Sequence, residues 1–280
     1  MKNELSNAEQ LLYSTVRIEC ESDQGISTGT GFFFRFLEIE GTASHIPAIV
    51  TNKHVVEGAI RARFFMTQAD DDGNPIDKQH IPITVDSFRE RCIFHPDPEV
   101  DLCIFLIGPL LHQANEKGIK VFYRSLMKDI IPTYEDVNEL DAIEDILMIG
   151  YPNGIWDQVN NFPIMRRGIT ATHPKVNYNG REEFMIDAAC FPGSSGSPVL
   201  IYNDGFYSTR KGTTVGSRVL LLGILYAGPQ FIATGEVRIM NIPTSQREVV
   251  VSSIPNNLGF VIRSNRILDF EPILESMDIK

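Results

Sequence analysis

Three short stretches of the 280-residue chain carry side chains able to do nucleophilic chemistry. In the first, Ile49-Val50-Thr51-Asn52-Lys53-His54-Val55-Val56, an apolar run ends in a histidine. In the second, Val100-Asp101-Leu102-Cys103-Ile104-Phe105, an aspartate opens an apolar run. The third, Phe191-Pro192-Gly193-Ser194-Ser195-Gly196-Ser197-Pro198, is a Gly/Ser loop ahead of Val199-Leu200-Ile201. A serine hydroxyl is a poor nucleophile at neutral pH and needs a base within reach; imidazole is the side chain that exchanges a proton near neutrality. Taken singly, each stretch has an ordinary structural reading: a satisfied histidine at a strand end, a turn aspartate, a Gly/Ser turn. Together they follow the order His54, Asp101, Ser195, spaced by 47 and 94 residues.

The elements that must position these residues are mostly strands. Ser6-Asn7-Ala8-Glu9 reads as a capping box opening a short helix within residues 1–12. From residue 13 to 107, short β-branched and aromatic runs alternate with turn signals. They are Thr15–Cys20, Gly31–Ile39, Ala48–Asn52, Ile60–Met66, Ile81–Asp86, Arg91–Phe94 and Leu102–Ile107. The polar run Asp70-Asp71-Asp72-Gly73-Asn74-Pro75 reads as a solvated loop tip. Residues 108–144 break the pattern, with a helix over Pro109–Glu116 closed by Gly118 and a second near Glu135–Ile143. Strands resume over 145–263: Ile146–Gly150, Pro163–Thr172, Lys175–Tyr178, Glu183–Asp187, Pro198–Tyr202, Arg218–Tyr226, Arg238–Ile242 and Gly259–Ile262. Asn179-Gly180 marks a type I′ hairpin. Over 264–280 a helix capped by Ser264 carries Ile267, Leu268, Phe270, Ile273 and Leu274 on one face, with Pro272 breaking or restarting it.

Composition narrows the class. There are 25 Lys and Arg against 36 Asp and Glu, a net charge of −11, which disfavours phosphate backbones and excludes general nucleic-acid binding. Hydrophobic residues make up 43% and charged residues 22%, the balance of a soluble globular chain long enough for a full core. No apolar run reaches membrane-spanning length, and the opening MKNELSNAEQ lacks a secretory apolar region. A cytoplasmic protein is therefore expected, with no membrane partner. Cys20, Cys92, Cys103 and Cys190 show no zinc spacing and read as small buried hydrophobes.

In this order, the three stretches resemble the trypsin-like serine proteases of the chymotrypsin fold, most closely the HtrA/Deg-type branch and small bacterial single-domain relatives. The same likeness appears in Gly29-Thr30-Gly31-Phe32, in Asp187-Ala188-Ala189-Cys190, in Leu222-Gly223-Ile224 and in Asn257-Leu258-Gly259-Phe260-Val261-Ile262, and it covers about residues 13–270. The resemblance implies an all-β chain of two six-stranded antiparallel β-barrels with short N-terminal and C-terminal helices. It implies a serine endopeptidase with neither cofactor nor metal. His54 would be the base, Asp101 its orienting partner and Ser195 the nucleophile, with the oxyanion hole at Gly193, Ser194 and Ser195. An α/β-hydrolase is excluded, because there the histidine comes last, whereas here no histidine follows His173.

The primary specificity pocket falls on Ala189, Cys190 and Phe191, with Tyr226, Ala227 and Gly228 opposite. Ala189 stands where trypsin carries its acid, so cleavage after Val, Ala, Leu or Met is expected. Asp187 reads as structural, and Arg166 and Arg167 as surface or ion-paired residues. Tyr151-Pro152-Asn153-Gly154-Ile155-Trp156-Asp157 reads as a turn with Trp156 half-buried. A C-terminal PDZ domain is not expected. The partners expected are protein or peptide substrates and an activating or regulatory protein, since a peptidase loose in the cytoplasm calls for latency, set by a partner or by ordering of residues 191–195. The rival is a pseudoprotease, a scaffold for binding alone. Since a histidine base fails once protonated, activity is expected to fall as pH drops below about 7.

Overall fold

The structure is a computed structural model in which residues 5–39, 41–42, 44–209, 212–233 and 252–277 are described. A one-turn helix, α1 (Asn7–Leu11), opens it. Ser6 accepts the Glu9 N–H while Glu9 reaches back to the Ser6 N–H, the reciprocal box read from sequence.

The first half is built from β1 (Thr15–Ser22), β2 (Gly25–Phe36), β3 (Ile46–Thr51), the one-turn helix α2 (Lys53–Val56), β4 (Arg61–Ala69), β5 (Pro75–Asp86), α3 (Phe88–Arg91), β6 (Cys92–Phe94) and β7 (Cys103–Leu106). After α4 (Gly108–Glu116) comes β8 (Val121–Phe122), and then α5 (Tyr134–Glu139). The second half holds β9 (Asp145–Gly150), β10 (Ile164–Thr170), β11 (Glu183–Asp187), β12 (Pro198–Asn203), the hairpin β13 (Phe206–Thr209) and β14 (Gly212–Val215), β15 (Arg218–Ala227), β16 (Gln230–Ala233), β17 (Ser252–Pro255) and β18 (Leu258–Arg263). A 3₁₀ segment, Ser264–Phe270, leads into α6 (Glu271–Ser276). No helix among the described residues is long and apolar enough to cross a membrane.

The architecture is that of the chymotrypsin-like class, two antiparallel β units with few helices. The second unit is a closed six-stranded barrel in the order β10-β11-β18-β15-β12-β9. In the first unit the six-stranded expectation is corrected: eight strands join in one sheet, β5-β4-β1-β2-β3-β7-β6 with β8 on β4, and β5 and β6 are left as its edges. Two features account for the open seam among the described residues. The strand β5 carries Pro75 and Pro82, which lack the N–H that a further partner would need. Ser87, at φ +51°, turns the chain straight into α3, leaving a β6 of three residues.

Strand alternation explains how the halves join. In β2, Phe33 packs inside the first unit with Val16, Ile18 and Phe105, whereas Phe32, Phe34 and Phe36 point the other way. In β9, Ile146 and Met148 fill the second barrel while Leu147 and Ile149 face outward. The outward sets meet in one shared core with Ala48, Val50, Ile104, Leu200 and Leu221, closed by Ile267, Phe270 and Leu274 of the C-terminal segment. The stretches holding His54, Asp101 and Ser195 lie beside this seam.

Phe270 is fully buried and lies edge-on to Phe36 with ring centroids 6.2 Å apart. Phe270→Ala is expected to destabilise the fold by about 3–5 kcal/mol through the cavity it leaves, read by chemical denaturation; a loss under about 1 kcal/mol would mean the C-terminal segment adds little.

Other expectations are met or shifted locally. The helix read over Pro109–Glu116 is α4, with Gly118 at φ +69° beyond it. The helix read near Glu135–Ile143 stops at Glu139. Pro272 sits in the first turn of α6 and restarts the helix, but Ser264 makes no capping bond, because the preceding segment is 3₁₀. Asn179 and Gly180 both take positive φ, while Lys175–Tyr178 contributes a single bridge, Tyr178 to Arg181, in place of a strand. The strand read over Arg238–Ile242 lies outside the described residues. All four cysteines are buried and free.

Candidate active site

His54 stands on α2, the single turn that follows β3. Its backbone N–H donates to Asp101 Oδ1 at 3.0 Å, and its Nδ1 meets Asp101 Oδ2 at 2.5 Å. One carboxylate thus fixes both the position of the histidine backbone and the pitch of its ring. The loop carrying Asp101 is itself held. Asn52 Nδ2 donates to the Asp101 carbonyl at 2.8 Å, and Lys53 Nζ donates to the carbonyls of Asp97 and Pro98 at 3.1 and 3.2 Å.

The same loop is anchored from the C-terminal segment. Arg266 donates to Asp97 Oδ2 at 3.0 Å, to Glu182 Oε2 at 2.8 Å and to Asp269 Oδ2 at 2.8 Å. The Glu99 N–H and the Arg266 guanidinium hold the Asp97 carboxyl below the usual carboxylate range. Buried His95 accepts the Asp97 N–H on Nδ1, and its Nε2 faces the Arg266 carbonyl and Asp269.

The serine loop is a tight turn pinned from behind. Gly193, at φ +88°, follows Pro192, and the Ser194 N–H closes onto the Phe191 carbonyl at 2.9 Å, the pattern of a type II turn. The carbonyl of Pro192 accepts the Asn153 N–H at 2.5 Å, and that of Gly193 accepts the Thr30 hydroxyl at 2.8 Å. With both carbonyls tied to that side, the N–H groups of Gly193 and Ser195 have no partner among the described residues. They are the two donors an oxyanion would need. Ser194 is corrected on this point: its N–H is spent in the turn and its hydroxyl accepts the Phe191 N–H, so it donates nothing to the hole.

Glycine is required at 193 twice over. A Cβ there would lie 2.5 Å from the Tyr151 carbonyl, and the positive φ is one that other residues rarely adopt. Gly193→Ala is therefore expected to lower kcat about 10²–10³-fold with a smaller change in KM, as steady-state kinetics on a peptide ester would read. An unchanged kcat would show that the turn contributes no donor.

Ser195 sits where the two units touch. Its carbonyl accepts the Thr30 N–H at 2.8 Å, and its hydroxyl donates to the Tyr226 carbonyl at 3.4 Å rather than to His54. Tyr226 is the extra residue where β15 slips register against β18, between Leu225 and Ala227, and the bulge turns its carbonyl toward the serine. Thr51 Oγ1 donates to the Thr30 carbonyl at 2.7 Å, so β2 and β3 carry the serine loop across the seam.

Beside Ser195 opens a cavity of about 310 Å³ lined by Cys190, Phe191, Pro192, Leu225, Tyr226, Ala227, Gly228 and Pro229. Among the described residues, its lining has no acidic side chain. Burial pushes the Cys190 thiol up to about 11, so this wall is neutral at physiological pH. The Tyr226 hydroxyl donates to Glu183 Oε2 at 2.9 Å, and burial together with that carboxylate raises its pKa. Ala189 is corrected: it is not part of the lining. The chain leaves β11 at Asp187, and of the three residues that follow, Ala188 and Cys190 are buried while Ala189 is half-buried, its carbonyl accepting Arg166 Nη1 at 2.5 Å.

Arg166 also lies over the Phe191 ring at 4.9 Å, so it braces the serine loop, and it makes no ion pair among the described residues. Arg167 and Asp187 are exposed. Trp156 is half-buried beneath the Arg17 guanidinium, and the stretch 151–154 before it backs the serine loop. Thr30, Asn52, Asn153, Arg166 and Arg266 were not singled out from sequence as site residues. Only the Gly29-Thr30-Gly31 and Thr51-Asn52 motifs held a signal for two of them.

No curated protein matches the chain in sequence. Among solved structures, the HtrA-type protease AlgW with a tripeptide shares 17% identity over 95% of this chain and 61% of its own, with a TM-score of 0.44. The Rv3671c protease of M. tuberculosis in its active form shares 14% over 91% and 78%, with a TM-score of 0.43. The thermostable serine protease AL20 from an extremophilic microorganism shares 12% over 94% and 98%, with a TM-score of 0.47. The chain thus spans about three fifths of the AlgW chain. The sequence itself matches the trypsin-like peptidase domain over residues 29–206, more than half its length, and the chain belongs to that family.

Proposed function

We propose that the chain is a serine endopeptidase that cleaves peptide bonds through an acyl-enzyme formed on Ser195. His54 takes the serine proton and returns it to the leaving amine, Asp101 holds the imidazole, and the N–H groups of Gly193 and Ser195 receive the oxyanion. The observation that carries this reading is the pair of unpartnered N–H groups beside a serine, within a fold that also holds a His–Asp pair at 2.5 Å. The experiment is a fluorophosphonate probe: labelling of the wild type and none of Ser195→Ala is expected.

The neutral, apolar lining of the 310 Å³ cavity supports cleavage after small or medium apolar residues, Val, Ala, Leu or Met. A peptide-library profile tests this, and a preference for Arg or Lys would overturn it. On latency, the free donors support a serine loop already ordered, which leaves a protein partner as the form of control. The isolated chain is then expected to take up the probe slowly and faster once the partner binds. One observation favours the rival scaffold reading, the Ser195 hydroxyl bonded to Tyr226 rather than to His54. Absence of labelling under every condition would decide for the scaffold.

A further inference from the structure

Thr30, on β2, is fully buried, and each of its hydrogen-bonding atoms is in use at the seam behind Ser195. Its backbone N–H donates to the Ser195 carbonyl at 2.8 Å, and its carbonyl accepts the Thr51 hydroxyl at 2.7 Å. Those two bonds do not depend on which side chain stands at position 30. The hydroxyl makes two more. It accepts the Tyr151 N–H at 3.1 Å and donates to the Gly193 carbonyl at 2.8 Å, so one oxygen of the first unit joins the end of β9 to the serine turn.

Both peptides flanking Gly193 are held through this oxygen. The one after Gly193 is held directly, by its carbonyl. The one before it carries the Gly193 N–H, and its carbonyl, on Pro192, accepts the Asn153 N–H. Asn153, at φ +51°, is placed by the turn that starts at Tyr151, whose carbonyl accepts the Gly154 N–H at 3.0 Å. Pro192 and Gly193 do not fix the orientation by themselves. Both residue types also fit a type I turn, in which the peptide between them is turned over and its N–H lies on the opposite side.

Without the hydroxyl, the Gly193 carbonyl and the Tyr151 N–H, both on buried residues, lose a partner, and a turn with unpaired buried groups relaxes to pair them again. The packing leaves no room for a water in its place: a Cβ on Gly150 would lie 2.7 Å from Thr30 Oγ1, and one on Gly196 would strike the Thr30 carbonyl.

We propose that Thr30 is a positioning residue for the reaction, its hydroxyl holding the serine turn in the form that presents the Gly193 N–H to the oxyanion. The proposal rests on the peptidase reading and adds to it a residue 163 positions before the glycine it controls.

Thr30→Val, of the same shape without the hydroxyl, and Thr30→Ser, which keeps it, test this in the full chain. In hydrolysis of a peptide ester, Thr30→Val is expected to lower kcat about 10–100-fold, up to the loss of a whole donor, with KM changed less than about threefold. Thr30→Ser is expected to restore most of the loss. The pH midpoint of kcat is expected to stay in place, since His54 and Asp101 are untouched. The Gly193 amide resonance, identified by its absence in Gly193→Ala, reads the turn without reference to catalysis. It is expected to shift or split in Thr30→Val and to return in Thr30→Ser. A resonance unmoved in Thr30→Val would overturn the hold on the turn. An unmoved kcat, a shifted pH midpoint or no recovery in Thr30→Ser would overturn the part in the reaction. A wild type that takes no fluorophosphonate ends the peptidase reading, and the part in the reaction with it, while the resonance still decides the hold. Should Thr30→Val fail to fold, Thr30→Cys, whose thiol is a weak donor, replaces it; kcat and resonance equal to those of Thr30→Ser would overturn the proposal.

Discussion

Ser195→Ala is expected to lower kcat/KM by about 10⁶-fold while leaving the unfolding transition where it is. The two effects separate cleanly because the hydroxyl holds so little. Its one hydrogen bond among the described residues, to the Tyr226 carbonyl, is 3.4 Å long, whereas the serine backbone is fixed by Thr30. Removing Oγ deletes the proposed nucleophile and leaves the turn, the Gly193 N–H and the cavity beside the serine as they were. Hydrolysis remaining above the uncatalysed rate is then assigned to binding and the oxyanion donors. Adding His54→Ala to Ser195→Ala is expected to cost almost nothing more, since the residues act as a unit. Steady-state hydrolysis of an activated ester checks both. Activity of the single variant above about 1% of wild type would move the nucleophile to another residue.

Asp101→Asn is expected to lower kcat about 10⁴-fold at neutral pH, with KM little changed and probe labelling slowed in proportion. Asp101 accepts twice from His54, through Oδ1 from the backbone N–H and through Oδ2 from the ring. Asparagine keeps one acceptor and can still receive the backbone N–H. Its other atom is then an amide nitrogen that donates to Nδ1, which drives the ring proton onto Nε2, where the serine proton should go. The loop stays in place through Asn52, Lys53 and Arg266, so the defect is in proton position and not in folding. A loss smaller than about tenfold would show that the aspartate only positions the backbone.

Much of the fold could be read from alternation, because residues two apart on β2 or β9 are committed to opposite cores. The stretches holding His54, Asp101 and Ser195 were legible for a different reason, since each is a local sequence with an unusual residue at its end. What escaped was long-range. Nothing near Thr30 announces a hydroxyl for the Gly193 carbonyl 163 residues away, and nothing near Arg266 announces Asp97. Ala189 was misplaced because motif position does not say which residues face the cavity once the chain has left β11 at Asp187. The hairpin β13–β14 was missed because both strands are largely exposed, with Phe206 and Val215 facing solvent, and leave no buried periodicity to read. The open seam of the first sheet was hidden because Ser87, where the chain turns, is not a residue type that advertises positive φ.

The Arg266 anchor bears on how the protein is made. On a ribosome, the histidine, aspartate and serine have all been synthesised before the arginine that fastens the aspartate loop, and before Phe270, which seals the core shared by the two halves. Domains fold as the chain emerges, and contacts of large sequence separation are the last to form. A nascent chain that already carries every reacting group still lacks their foundation. If the chain cleaves peptides as proposed, that chemistry is deferred until synthesis has passed the C-terminal segment, a delay built into the order in which the residues are added.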